Sequence, residues 1–368
     1  MPARLSGADA ISPAIERTKR QLFAPFRFAY WWRVATLCLL TGELTGGGGG
    51  NPGSLSSINL PSRRHSDLIG LVSWPESIGS RWMEFLPWIL VGVAFVFALA
   101  IVFVYLASVF RFVLFETVVY GRCELMAGWR RWQRQGNSYF LWLLGFGLAS
   151  LVAVLVLIGG PVYLAWEAGI FSQPGEHIAL LVIGGVLLIG VAACVMLVSA
   201  LGALFAKDFV VPVMALEDVG VLEGWRRVFP MLAAEKLAYT IYVLVKIALA
   251  VGSALLFAII DFVAVFAILI PVGIVAVIVV VVGAAAGLTW NTVTISVAVV
   301  AGGVVLTGLL YLVSFISAPA MVFFQAYSLH FFGSRYPRLG DLMVATSPPP
   351  KPSPPLIIPS TGGPLPAT

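Results

Sequence analysis

The sequence predicts an all-α polytopic membrane protein: a transmembrane helical bundle with internal repeats and interfacial amphipathic helices. Three observations predict it. Of 368 residues, 60% are apolar and 11% charged, with a mean hydropathy of +0.99, whereas soluble domains run near about 45–50% apolar and about 25% charged. Surface grows too fast with chain size for a soluble fold to be so poor in charge. Three uncharged runs, Pro87–Phe110, Ser138–Ala165 and Ile178–Ala206, are each longer than a hydrocarbon core of about 30 Å at about 1.5 Å per residue. Finally, Gly128-Trp129-Arg130-Arg131 returns 96 residues later as Gly224-Trp225-Arg226-Arg227, each copy lying between two apolar runs.

In chain order, residues 1–45 form a basic segment with a short membrane helix. The piece around Phe23–Leu40 contains Arg27 and Arg33, so it is either a short tilted crossing or an interfacial helix. No cleavable leader is expected, because the apolar piece Val34–Leu40 is short and no small-residue cleavage site follows it. Residues 46–85 read as a flexible external loop, opening on Gly46–Gly50. Residues 86–340 form the helical transmembrane domain, with repeats at about 87–165 and 178–260 and a third, degenerate one at about 292–337.

A fourth apolar run, Leu237–Ile260, carries Lys246 inside it. From Phe262 to Ser334 no Asp, Glu, Lys or Arg occurs, and that tract holds two or three segments with breaks near Pro271 and at Gly287–Asn291. Gly302–Gly303 is a weaker break, since glycine is common in membrane helices. The total is about six or seven crossings. Residues 346–368 form a proline-rich tail, disordered or polyproline II, with a PxxP at Pro352–Pro355 that is a candidate protein-binding motif.

Lys/Arg counts set the orientation. Residues 1–33 carry six, 111–134 five, 207–236 four and the chain from Arg335 three, whereas 166–177 carries none. The basic segments and both termini are therefore expected on the cytoplasmic side of an inner (plasma) membrane, and 166–177 outside. The formal net charge of +5 is spent on these segments, so no nucleic-acid partner is expected.

The repeated motif reads as an amphipathic surface helix. Around the second copy, Val221, Leu222, Trp225, Val228 and Phe229 fall on one face, and Glu223, Arg226 and Arg227 on the other. Leu125, Trp129 and Trp132 make the same stripe in the first copy. Trp129 and Trp225 would sit at headgroup level, with Arg130, Arg131, Arg226 and Arg227 turned to anionic lipid headgroups or to a partner. Fainter echoes join Val211-Pro212-Val213-Met214 to Ala318-Pro319-Ala320-Met321, where proline would stop a crossing, and place a degenerate copy at Leu22–Arg33.

These features together resemble a group of uncharacterised bacterial integral membrane proteins related to the membrane domain of glycerophosphodiester phosphodiesterases. The likeness rests on the Gly-Trp-Arg-Arg helices between crossings, on Leu22–Trp32 and on Ala326–Pro337, and spans most of residues 15–340. It implies a bacterial helical membrane domain. The phosphodiesterase chemistry of that group belongs to a separate barrel domain rich in His and carboxylates, which no segment here would form.

Chemistry is sparse elsewhere. His65, His177 and His330 lie far apart, Cys38, Cys123 and Cys194 lack metal-ligand spacing, and no HExxH, Walker A, GxSxG or dinucleotide fingerprint occurs. The expectation is a protein without enzymatic activity, cofactor or metal. Lys246 is the sharpest single residue. An unpaired ammonium near the bilayer midplane costs several kcal/mol, about 2.5 to 17 by different measures. Glu217, Asp218 and Glu116 are the partners on offer from flanking segments. Asp261, 15 residues on, is about 22 Å away along a straight helix. Two readings stand: an ion, proton or substrate site of a transporter or channel formed by Lys246 with Glu217 and Asp218, or a structural lysine satisfied within the bundle. The leading function is a membrane organiser or anchor.

Overall fold

The computed structural model describes residues 4–24, 26–42, 78–171, 175, 177–287 and 291–346. Among them there are eleven α-helices, two single π-helical turns and no strand. The Gly46–Gly50 loop and the proline-rich tail with Pro352–Pro355 lie outside the described residues.

Helices α1 (Ile11–Leu22) and α2 (Phe28–Thr41) are short. Helix α3 runs Ile78–Tyr120, so it starts inside the stretch expected to be loop, and Pro87 is accommodated in its interior. Helix α4 (Leu125–Val154) continues through a π turn, Leu155–Gly159, into α5 (Gly160–Glu167). Helix α6 (Ile178–Phe205) passes through a second π turn, Ala206–Val210, into α7 (Val211–Glu217). The remainder is α8 (Val221–Ala234), α9 (Lys236–Ala285), α10 (Thr292–Gly333) and α11 (Pro337–Ala345).

Among the described residues, five stretches are long and apolar enough to cross a membrane: Ile89–Tyr120, Leu125–Glu167, Ile178–Glu217, Lys236–Ala285 and Val293–Gly333. Even the first, 32 residues long, is about 48 Å at 1.5 Å per residue. Two of the segments counted toward the expected six or seven crossings are not separate long apolar helices. Helix α2 has 14 residues, about 21 Å, which is short of a bilayer core. The tract after Asp261 does not break at Pro271, which sits inside the 50-residue α9. In apolar surroundings a proline forfeits one backbone hydrogen bond, whereas a break would strand several. The chain turns instead at Gly287, whose φ is +81°, and restarts at a capping box. There the Asn291 side chain accepts from the Thr294 backbone N–H at 3.0 Å, and the Asn291 N–H donates to Thr294 Oγ1 at 2.8 Å. Pro319, expected to stop a helix, likewise lies inside α10.

Burial is concentrated at one end of every long helix. The fully buried side chains come from 109–119 of α3, 206–214 around the second π turn, 239–246 of α9 and 314–332 of α10, joined by α1, α2 and α11. Beyond that core the same helices present exposed Leu, Ile, Val and Phe, such as Phe95, Leu157, Ile189 and Val279, as helices in hydrocarbon do. Helices α3, α7 and α10 therefore end in the core, and α4 and α9 begin there. The N- and C-terminal helices meet within it, where Arg17 Nη2 donates to Thr346 Oγ1 at 3.1 Å.

Glycine sets how closely the helices approach. A Cβ on Gly128 would lie 2.9 Å from Val113 Cγ2, and one on Gly224 would lie 2.8 Å from Val210 Cγ1. The first residue of each Gly-Trp-Arg-Arg copy thus lets its helix press on a valine of the preceding span.

Candidate functional site

The deepest polar group is centred on Asp208. The π turn that carries it joins α6 to α7 and buries Lys207 and Asp208 among Ala206, Phe209 and Val210. Lys246, ten residues into α9, donates to Asp208 Oδ2 at 2.5 Å, and the two side chains are 3% and 1% exposed. Tyr242, one turn before Lys246, donates to the same oxygen at 2.9 Å. Its ring stacks on Tyr327 at 5.2 Å between centroids and on Phe331 at 4.5 Å. The Tyr327 hydroxyl in turn donates to the Gly7 carbonyl at 3.0 Å. The N-terminal segment, the π turn, α9 and α10 are thereby tied at one point. Charges this deep cost several kcal/mol each unless paired and hydrogen-bonded, and both conditions are met here.

Lys246 therefore has a carboxylate partner, but not one of those expected. Glu217 and Asp218 lie nine and ten residues beyond Asp208, at and past the end of α7, while Asp208 is the acid in register with the buried stretch of α9. A signal for this was present: apart from Lys207 beside it, Asp208 stands between apolar runs, Leu204–Ala206 and Phe209–Ala215, unlike an acid in a solvated loop.

Glu217 and Asp218 organise the rim of the core. The Glu217 carboxylate pairs with Arg227, accepts from the Tyr336 hydroxyl and lies 3.4 Å from Arg338. Asp218 terminates α7 with φ +53°, the one positive φ at a non-glycine residue among the described residues. Its carboxylate accepts from Gln135 and lies 3.4 Å from Arg134. Left-handed backbone is tolerated best by Gly, Asn and Asp, so Asp218 both makes the turn and pins α4 to it. Glu116 pairs with Arg131 and accepts from Trp132 Nε1 at 2.7 Å.

The two Gly-Trp-Arg-Arg copies share a division of labour. In each, the second arginine pairs with an acid near the end of the preceding span, Arg131 with Glu116 and Arg227 with Glu217, although Arg131 itself stays 60% exposed. The first arginine, Arg130 or Arg226, is exposed. Arg226 is 83% exposed and lies 3.8 Å from Glu223, and no ion pair is found for Arg130 among the described residues. The tryptophans are not free at a headgroup level. Trp129 packs on Phe110 at 5.4 Å and edge-on to Tyr105, and Trp225 packs on Trp142 at 5.8 Å.

The expected faces are also corrected. Val221 and Val228 are buried, while Leu222 and Phe229 are 75% and 68% exposed and share Arg226's side of α8. Met126, 71% exposed, stands four residues before Arg130 as Leu222 does before Arg226. Only the second copy is a separate surface helix. The first is the opening of α4, which continues without a break into the span.

Two arginines that sequence reading counted only as orientation signals are core residues. The Arg335 guanidinium is 6% exposed, lies 4.0 Å over the Phe331 ring and donates to Glu235 and to the Leu5 carbonyl at 2.9 Å. Arg111 donates to the Tyr139 hydroxyl at 3.1 Å. Beside the core, burial pushes the Cys123 thiol up to about 11. At the N-terminus, hydrogen bonds from the Ser6 side chain and backbone hold the Asp9 carboxyl below its usual range. Among the described residues no three His, Cys, Asp or Glu side chains converge as a metal site.

A family model for a family of unknown function matches residues 5–342. No curated protein and no solved structure matches the chain. No link to the membrane domain of the glycerophosphodiester phosphodiesterases emerges from these comparisons.

Proposed function

The chain belongs to the family DUF7544, and from what its helices present we propose a non-enzymatic membrane organiser that gathers anionic lipid around its core. The observation that carries this reading is the matched exposed face of the two Gly-Trp-Arg-Arg helices. Met126 and Arg130 on α4, and Leu222, Arg226 and Phe229 on α8, put a large apolar side chain and an unburied guanidinium on one face. That pairing suits a bilayer surface, the apolar group dipping toward acyl chains while arginine meets a phosphate. The matched glycine–valine contacts and the matched pairs Arg131–Glu116 and Arg227–Glu217 support reading the copies as an internal repeat. The count of Lys/Arg supports cytoplasmic termini in a bacterial inner membrane.

Each exposed basic residue near an anionic surface contributes about 1 kcal/mol, so Arg130 and Arg226 together account for roughly a thirtyfold preference. The test is mass spectrometry of the lipids retained by protein extracted in native-lipid particles. Arg130→Ala with Arg226→Ala is expected to cut enrichment of phosphatidylglycerol markedly and leave thermal stability unchanged. Undiminished enrichment in that variant overturns the reading.

A second reading, a transporter or channel with Lys246 in its pathway, draws on an intramembrane ion pair seated on a π turn, a distortion frequent at functional sites. On that reading Lys246→Leu abolishes a flux while the protein still reaches the membrane.

A further inference from the structure

A cleft of about 270 Å³ opens between α1, α9 and α10. Phe23 just past α1, Phe257 of α9 and Phe323 and Phe324 of α10 wall it, with Pro319 among them. The hydroxyls on its lining are engaged within their own helices: Thr18 Oγ1 donates to the Ala14 carbonyl at 2.8 Å, and Ser253 Oγ to that of Ala250 at 3.0 Å. The wall therefore offers an occupant almost nothing but hydrocarbon.

One charged residue lines the cleft, Lys19, which is exposed. Its neighbours are committed elsewhere, Arg17 to carbonyls of α3 and Arg20 to Glu16. No carboxylate pairs with Lys19 among the described residues. On the α9 side the cleft adjoins exposed Leu255, Leu256, Ile259 and Ile260, so it opens onto the apolar surface that faces lipid.

We propose that this cleft is a lipid site, taking one acyl chain of an anionic phospholipid between the phenylalanines with its phosphate at Lys19. Charge complementarity at Lys19 selects the acidic headgroup, and the apolar wall selects the chain. A partner helix is a poor occupant: at about 10–12 Å across, the cleft volume would take in only about two of its residues. The site is separate from the Arg130 and Arg226 face and does not rest on it.

The test uses the full chain in phosphatidylcholine vesicles doped with phosphatidylglycerol bearing a diazirine in one acyl chain, followed by irradiation and peptide mapping. Label is expected at Phe257 and Phe323–Phe324 above the background on the outer part of α9, and unlabelled phosphatidylglycerol should compete it away saturably. Inorganic phosphate at the same concentration should not. Ser253→Trp, which fills the cleft, is expected to reduce that label to background. Lys19→Ala is expected to cut the preference for phosphatidylglycerol over phosphatidylcholine about fivefold, and Arg130→Ala with Arg226→Ala to leave cleft labelling intact. Label spread evenly along α9 and α10, or label that unlabelled lipid does not displace, overturns the proposal. The competition uses the wild-type chain, so it decides the question even where Ser253→Trp fails to fold.

Discussion

Asp208 and Lys246, 38 positions apart in the chain, meet at 2.5 Å with almost no exposed surface, and Tyr242 closes on the same carboxylate oxygen. The pair bolts the π turn to α9. It also makes the lysine compatible with its depth, since each ion answers the desolvation of the other.

Removing one partner should therefore cost far more than removing both. Lys246→Met or Asp208→Asn alone is expected to destabilise by about 3–5 kcal/mol, because a buried charge is left unanswered. The double variant should recover most of that loss. Thermal unfolding in detergent of all four forms gives the coupling energy, and strictly additive losses would show that the two side chains do not act as a pair.

The glycine contacts make a graded prediction. At Gly128 the intruding Cβ would meet only side-chain atoms of Val113, the nearest at 2.9 Å, whereas at Gly136 it would lie 2.6 Å from Val109 Cγ2 and 2.9 Å from its backbone Cα, which cannot move without the helix. Overpacking of this kind costs typically about 1–3 kcal/mol, so Gly136→Ala should fall at the upper end and Gly128→Ala below it. Gly145 has nothing within 4 Å, and Gly145→Ala should be neutral or stabilising by up to about 1 kcal/mol. Melting temperatures of the three variants test the order.

These contacts show what the sequence makes legible. The membrane class follows from composition, because no arrangement of so apolar a chain suits water. The end of α9 and the start of α10 are local chemistry, a left-handed Gly287 and an Asn291–Thr294 box, and are readable in a few residues. Lys246 stands out because its neighbours are apolar. Its partner does not, since pairing across 38 residues depends on how the π turn rotates Asp208, a tertiary outcome. Pro271 misleads for the opposite reason: proline as a helix breaker is a rule for water, where freed backbone groups find other partners.

The Cys123 thiol carries a pH signature. Its value rises from 9.0 to about 11 through burial, so the folded state holds the proton more tightly than the unfolded one. The associated stability is fully present below pH 9.0 and is lost as pH rises through about 11. In a variant keeping Cys123 as its sole cysteine, alkylation by iodoacetamide should be slow at pH 8 and accelerate only toward pH 11. Cys123→Ala should remove that part of the alkaline loss of stability.

The end of α3 shows why α1 carries its basic residues where it does. The last carbonyls of a helix lack intrahelical partners, and here they are met by another element: Arg17 Nε donates to the Val118 carbonyl at 2.9 Å and Arg17 Nη2 to Val119 at 2.6 Å, while Gln21 Nε2 reaches Val118 at 2.7 Å. The guanidinium also lies at the negative end of the α3 dipole. Arg17→Met leaves the Val118 carbonyl to Gln21 and strips the Val119 carbonyl of its side-chain donor, at about 1–3 kcal/mol for that buried acceptor. Arg17→Lys should rescue only part of the loss, because an ammonium on a flexible stem lacks the planar fork that spans two successive carbonyls. Hydrogen exchange locates the effect: protection should fall in α1 and in the last turn of α3, with the amides around Asp208 and Lys246 unchanged. Equal stability of the Lys and Met variants would show that charge without the fork has no part in this cap, and full rescue by Lys that the fork geometry has none.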